Sequence, residues 1–334
     1  MRASRIITVV LLVVLLVAAV GLYADVRSLG QALVDFAWWT VVPALALAFA
    51  NYLLRFCKWH YYLRVVGRPL PVRFSAEVFF AGLSMSVTPG KVGELLKSYL
   101  LKQSADVPVS VSAPVVLAER LTDLLALLVL ALFGVASSGY GWDIMAAGTV
   151  LCGGVLMLAL WRRAGVLALD LLSRFKYIGE RRASLLELQA ALFQLVGPRN
   201  LLVGTVISVV AWFAECLAFS VVLAGAGIDF PLSNAIFVYS LGTVAGAVTM
   251  LPGGLVATEA SMVFVLVEVF GAASRSAAVT AVLVVRICTL WFAVLVGVGA
   301  LGLLKHHLGK QGFGQVVRSA LLDGGQGGVT SDGV

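Results

Sequence analysis

The residues that could do chemistry are concentrated in two short stretches, Ser84 to Tyr99, SMSVTPGKVGELLKSY, and Thr249 to Ser261, TMLPGGLVATEAS. Each holds a Pro-Gly pair, Pro89-Gly90 or Pro252-Gly253, followed by a glutamate, Glu94 or Glu259, and the first also carries Lys91. Further along, each is followed by an apolar run with an arginine in it: Glu119, Arg120 and Asp123 in one, Arg286 in the other. A guanidinium is a planar fork that can grip a carboxylate or a phosphate through two hydrogen bonds, and a nearby glutamate can hold it ready, bind a cationic group or carry a proton. The competing reading is structural, with Arg120 neutralising Asp123 three residues on and Arg286 neutralising Glu259.

Those side chains sit in a chain that is 61% hydrophobic and only 12% charged, with a mean hydropathy of +1.02. Such a composition is that of a polytopic membrane protein, not of a soluble domain. The net charge of +7 comes from basic residues lying between apolar runs, where they report orientation rather than nucleic-acid binding. Cys57, Cys152, Cys216 and Cys288 lie in or beside apolar runs without paired spacing and read as small core residues. His60, His306 and His307 form no ligand cluster, so neither a metal nor another cofactor is expected.

In lipid, an ionised side chain costs about 2.5 to 3.5 kcal/mol at the bilayer centre, so the charges must pair or face water. A Pro-Gly break has a similar requirement, because it frees backbone groups that the bilayer cannot satisfy; such breaks persist only in protein or beside a polar cavity. The two breaks are therefore expected to wall one site, with Pro89, Gly90, Lys91, Glu94, Glu119, Arg120, Asp123, Pro252, Gly253, Glu259 and Arg286 as its substrate-binding candidates. Lys91 is equally able to meet lipid phosphate at the membrane surface or to reach into the cavity. Glu215 reads as a helix-packing carboxylate, and Arg55, Lys58, Lys97 and Lys102 read as interfacial anchors that snorkel.

The elements that position these residues are expected to be all α-helical. About six full spans are predicted: Ile6–Tyr23, read as a retained anchor rather than a cleaved signal, then Trp38–Cys57, Ala113–Ala136, Trp142–Trp161, Leu201–Leu223 and Val279–Leu303. Phe74–Val87 and Lys91–Lys102 flank the first break and are too short to cross a core about 30 Å thick. They predict a re-entrant hairpin; Ala235–Phe270, around the second break, is open to either a re-entrant or a fully spanning path. Residues 162–200 fit an interfacial segment, since Leu185, Leu188, Leu192 and Leu195 recur at helical spacing behind a basic stretch, and fit an ordinary cytoplasmic helix as well. Residues 1–308 form one membrane domain, and the glycine-rich tail 309–334 is expected to be disordered. With both termini cytoplasmic in the cell inner membrane, most of the 24 lysines and arginines fall on the cytoplasmic side.

The two halves also align. Gly67 and Pro71 match Gly227 and Pro231 at an offset of 160, Glu94 matches Glu259 at 165, and Arg120 matches Arg286 at 166. This makes repeat one about 38–137 and repeat two about 201–303. With three spans between the hairpins the second copy enters from the opposite face, which is the inverted repeat of many secondary transporters.

The motifs TPGKVGE at Thr88–Glu94, ERLTD at Glu119–Asp123 and LPGGLVATE at Leu251–Glu259 resemble the flippase-like family related to the membrane domain of lysylphosphatidylglycerol synthetase, the multiple peptide resistance factor, over roughly Ile6 to Leu304. In that factor the similar domain is associated with moving aminoacylated phosphatidylglycerol between leaflets, while a separate soluble domain, not expected in this chain, makes the lipid. The resemblance implies a non-enzymatic translocator for a lipid with an anionic or zwitterionic head, aminoacylated or polyprenyl-phosphate-linked. A second copy of the chain or a lipid-biosynthesis enzyme is the expected kind of protein partner. The alternatives are a membrane-embedded transferase or phosphatase using Glu94 or Glu259 as base, and a non-catalytic partner of a glycosyltransferase complex.

Overall fold

A computed structural model describes residues 26–88, 94–138, 182–249 and 251–306, together with Val150 and Gly154. The expected first span, the Pro89-Gly90-Lys91 stretch, the Trp142–Trp161 span apart from those two residues, the start of the 162–200 segment and the tail lie outside the described residues. Within them the chain is helical without a strand. The order is α1 (Val26–Val34), α2 (Val41–Val65, led in by a 3-10 turn at Trp38–Thr40), α3 (Val72–Leu83), α4 (Leu96–Ala105), α5 (Val109–Ser138), α6 (Arg182–Leu195), α7 (Pro198–Gly225), α8 (Leu232–Val248) and α9 (Ala257–Phe264). The last, α10, starts at Arg275 and runs to His306.

Trp38–Val65, Pro198–Gly225, Pro252–Val269 and Arg275–His306 are each long and apolar enough to cross a membrane. The 28-residue Pro198–Gly225 reaches about 42 Å at 1.5 Å per residue, well over the hydrocarbon thickness. α5, with 30 residues, is longer still but carries three charges. Large apolar side chains face outward, Val42 and Leu295 each 70% exposed, while Lys58 and Glu119 are completely buried. Apolar outside and charged inside is the arrangement lipid requires, and this is a multi-pass membrane protein.

The two halves repeat one another at the level of single backbone bonds. α2 and α7 are each followed, two residues past the end, by a glycine with φ of +72°, Gly67 and Gly227. The amide three residues beyond each helix closes it in the same way, Arg68 to the Leu63 carbonyl at 2.9 Å and Ile228 to the Leu223 carbonyl at 3.0 Å. Only glycine adopts that left-handed turn without steric penalty. Pro71 and Pro231, with φ/ψ of −54°/135° and −55°/137°, then start α3 and α8.

Where α2 meets α7 the contacts run in opposite numerical directions: the Ala37 amide to the Gly225 carbonyl, Asn51 to the Ala211 carbonyl, Lys58 to Ser208 and Tyr61 to Asn200. These equivalent helices are therefore antiparallel. Asn51 and Ala211 differ by 160 positions, the repeat offset itself, so the two copies meet at equivalent points.

The helices that flank the first Pro-Gly pair, α3 and α4, have 12 and 10 residues, about 18 and 15 Å, short of the hydrocarbon thickness. The helices on either side of the second Pro-Gly pair are longer, 17 residues in α8 and 18 in Pro252–Val269. α6 departs from a purely interfacial placement, because Ala191 and Leu195 are buried and Gln194 donates to the Val65 carbonyl at 2.6 Å.

The long last helix is held by a backbone-on-backbone contact. A Cβ at Gly297 would sit 2.7 Å from the carbonyl carbon of Leu83 and overlap the Ser84 amide, whereas Gly302 has open space around it. Gly297→Ala is thus expected to destabilise the protein by about 1–3 kcal/mol through overpacking, and Gly302→Ala to leave it unchanged or slightly more stable. Thermal unfolding of the detergent-solubilised variants checks the pair, and equal melting temperatures would contradict this packing.

Candidate functional site

Glu119, Arg120 and Asp123 share one stretch of α5, with Glu119 and Asp123 a helical turn apart on the same face. Arg120 Nη2 lies 3.1 Å from both Asp123 Oδ2 and Glu94 Oε2, the latter just before α4. Asp123 is held from its other side by α2 and α7: Lys58 Nζ donates to Asp123 Oδ1 and to Ser208 Oγ, each at 2.6 Å, and Ser208 donates to Asp123 Oδ1 at 3.0 Å. Behind them Lys97 Nζ donates to Glu119 Oε2 at 2.6 Å, with Trp59 facing the ammonium at 4.5 Å.

The second half makes the equivalent primary pair. Arg286 Nε donates to Glu259 Oε1 at 2.6 Å and its Nη2 to the Gly253 carbonyl at 2.7 Å. That carbonyl is turned toward the arginine by the break itself, where Gly253 has φ of 62° within the turn Pro252–Gly254. Val256, a β-branched residue at φ of 71°, follows; such a conformation costs about 1–3 kcal/mol and holds only where the surroundings dictate it. A π turn, Ile287–Trp291, follows Arg286 directly, and Tyr52 OH donates to the Thr289 carbonyl inside it.

Both half-sites open on one cavity of about 430 Å³, lined by Glu94, Arg120 and Asp123 from the first half and Gly253 and Arg286 from the second. The second break packs on the residues that lead to the first, since a Cβ on Gly253 would lie 3.5 Å from Cα of Val87. Glu119 and Glu259 stand behind the lining and hold cations. Pro89, Gly90 and Lys91 fall outside the described residues.

Three expectations are corrected. Arg55, Lys58 and Lys97 do not snorkel to an interface: they are 9%, 0% and 2% exposed and belong to the buried cluster. Arg55 lines the cavity, as do the aromatic residues Tyr52, Trp212 and Tyr239, which the sequence reading also left out. Glu215 lines it too, accepting from Tyr239 OH at 2.7 Å. The repeat contained the missing signal, because Arg55 and Glu215 occupy equivalent positions at the offset of 160.

Residues 6–297 match a family model described as the lysylphosphatidylglycerol synthase TM region. The chain belongs to that family. Two proteins of Methanothermobacter thermautotrophicus, each named a UPF0104 membrane protein, are 25% identical to this family member over 308 and 313 residues, covering 85% of its length and 88% and 89% of theirs.

In this member of the TM-region family the buried Lys97–Glu119 pair has an apolar counterpart. The stem of Lys97 fills the space beside Gly82, where an added Cβ would lie 2.5 Å from its Cγ; in the second half Met262 fills the same space beside Gly242, at 2.6 Å. Glu119 correspondingly matches Val285, which is fully buried. Lys97→Met alone strands a buried carboxylate and is expected to cost about 3–5 kcal/mol, while Lys97→Met combined with Glu119→Val recovers most of the loss. A double-mutant cycle on thermal stability measures this, and additive losses would refute the equivalence.

Proposed function

We propose that the protein is a translocator that moves a phosphate-containing lipid, aminoacylated or polyprenyl-phosphate-linked, between the leaflets, and that it is not an enzyme. The observation that carries the reading is the cavity lined by the matched arginines of the two halves, Arg120 and Arg286. In this role the polar head enters the cavity while its tails remain in the bilayer. Its phosphate then takes the place of a carboxylate on one or both guanidinium forks.

The architecture proposed with it is an inverted repeat, its two hairpins entering from opposite faces and the first re-entrant. Antiparallel packing of the equivalent helices α2 and α7, the short arms α3 and α4, and the contact of Gly253 with Val87 support this arrangement. An inverted repeat gives each leaflet an equivalent route to one shared site, as alternating access needs. The basic loops favour an inner-membrane orientation with both termini cytoplasmic.

Arg120→Lys or Arg286→Lys is expected to abolish movement of labelled lipid in reconstituted vesicles without loss of thermal stability, because lysine keeps the charge but not the fork. Wild-type transport by a stable lysine variant would refute the phosphate grip. Failure of the wild-type protein to move phosphatidylglycerol, its aminoacylated forms or a polyprenyl phosphate would refute the translocator.

A further inference from the structure

Arg286 donates to a carboxylate at 2.6 Å and Arg120 Nη2 lies 3.1 Å from two carboxylates, but the third arginine lining the cavity approaches none so closely. Arg55 is 9% exposed, and its Nε stands 3.9 Å from Asp123 Oδ2, beyond hydrogen-bond reach. That Nε has no hydrogen-bond acceptor among the described residues. The guanidinium carbon lies 5.9 Å from the ring centroid of Trp212, which is 5% exposed and whose own Nε1 also has no acceptor. Both residues line the cavity.

Two buried donors without acceptors, side by side on a cavity wall, are costly unless something accepts from them. The neighbouring carboxylates do not fill that role. Asp123 Oδ1 accepts from Lys58 and Ser208, its Oδ2 stands 3.1 Å from Arg120 Nη2 and out of hydrogen-bond reach of Arg55 Nε, and Glu215 accepts from Tyr239. The tryptophan is held where it can serve, because α2 and α7 are fixed on each other by the Asn51 bond to the Ala211 carbonyl at 2.8 Å, one residue before Trp212.

We propose that Arg55 and the indole N–H of Trp212 form an anion site on the α2–α7 wall that takes one phosphate group, separate from the Arg120 and Arg286 pairs. The site receives the phosphate while both of those pairs are still closed. This deepens the translocator reading, from which it takes a lipid head as the source of that phosphate; a free phosphate has the same chemistry.

The test is calorimetric titration of the detergent-solubilised full chain with inorganic phosphate, with dioctanoyl phosphatidylglycerol, and with dioctanoylglycerol as the phosphate-free control. Arg55→Gln is expected to weaken binding about tenfold or more and Trp212→Phe about two- to tenfold, while Arg55→Lys falls between wild type and Arg55→Gln. Thermal melts identify folded variants; where Arg55→Gln does not fold, Trp212→Phe, which keeps the ring that Arg55 faces, decides. Loss of lipid binding assigns the site to a lipid head, and loss of inorganic phosphate binding alone assigns it to a free anion. Either supports the site. Wild-type affinity for both phosphate ligands in the folded variants, or equal binding of dioctanoylglycerol, overturns it. The outcome is separable from that of the translocator: Arg55-dependent binding without lipid movement in vesicles would sink transport and keep the site, and movement with Arg55-independent binding would do the reverse.

Discussion

Charge compensation in a low-dielectric interior is the constraint on which the rest of this structure depends. Arg55, Lys58, Lys97, Arg120 and Arg286 are matched in number by Glu94, Glu119, Asp123, Glu215 and Glu259, drawn from α2, α4, α5, α7, α9, α10 and the turn leading into α4. Removing water from any one of these groups costs several kcal/mol, and only good geometry with additional hydrogen bonds offsets it. The helices must therefore converge to within hydrogen-bond length of one another at a few points. Lys58 shows this most clearly, since a single ammonium on α2 joins a carboxylate on α5 and a hydroxyl on α7. A packing error of an ångström there would leave a bare charge, which apolar contacts alone would not penalise so sharply.

The repeat separates what such a network needs for folding from what it keeps at the cavity. Behind the lining, the first half buries Lys97 against Glu119, and the second half buries Met262 and Val285 at the equivalent places. The same scaffold thus accepts an ion pair or a hydrophobic pair in that position, as the energetics of buried pairs would allow. The glutamate and arginine nearest the breaks are present in both halves, as Glu94 with Arg120 and Glu259 with Arg286. A purely structural role could have been filled by apolar residues there too, so the retained pairs point to a demand made by the cavity itself.

Much of this was legible in the sequence. Hydropathy read out the membrane class, the Pro-Gly pairs marked the second break, and the cost of buried charge required Arg120 and Arg286 to find carboxylates. Arg55, Lys58 and Lys97 were misread because a basic residue near the end of an apolar run has two low-energy fates, reaching out to headgroups or pairing inside. Which one occurs depends on the helix face and on partners far away in sequence; Asp123 is 65 residues from Lys58. Aromatic residues such as Trp212 and Tyr239 look like ordinary core in one dimension, and only the convergence of α2, α7 and α8 on one cavity distinguishes them. Whether a helix of 17 or 18 residues crosses or turns back is likewise a matter of its neighbours rather than its composition, so the second hairpin could not be settled from its residues.

Compensation also bears on how a site of this kind could release what it binds. A cluster of three uncompensated arginines in a cavity would hold a phosphate so tightly that turnover would stall, since a transport site must be favourable enough to enter and weak enough to leave. Here each of Arg120 and Arg286 already has a carboxylate, so in the proposed role an incoming phosphate exchanges one oxyanion for another instead of meeting a bare cation. The two states then differ by little, and the carboxylate returns as the head departs. Arg286 has the backbone for such an exchange: its second bond goes to the carbonyl of Gly253 in the break, so the fork keeps one anchor while the other is traded. The second break thereby acquires a reason beyond bending the chain, because a regular helix has already committed that carbonyl to its own ladder and has none to offer a side chain.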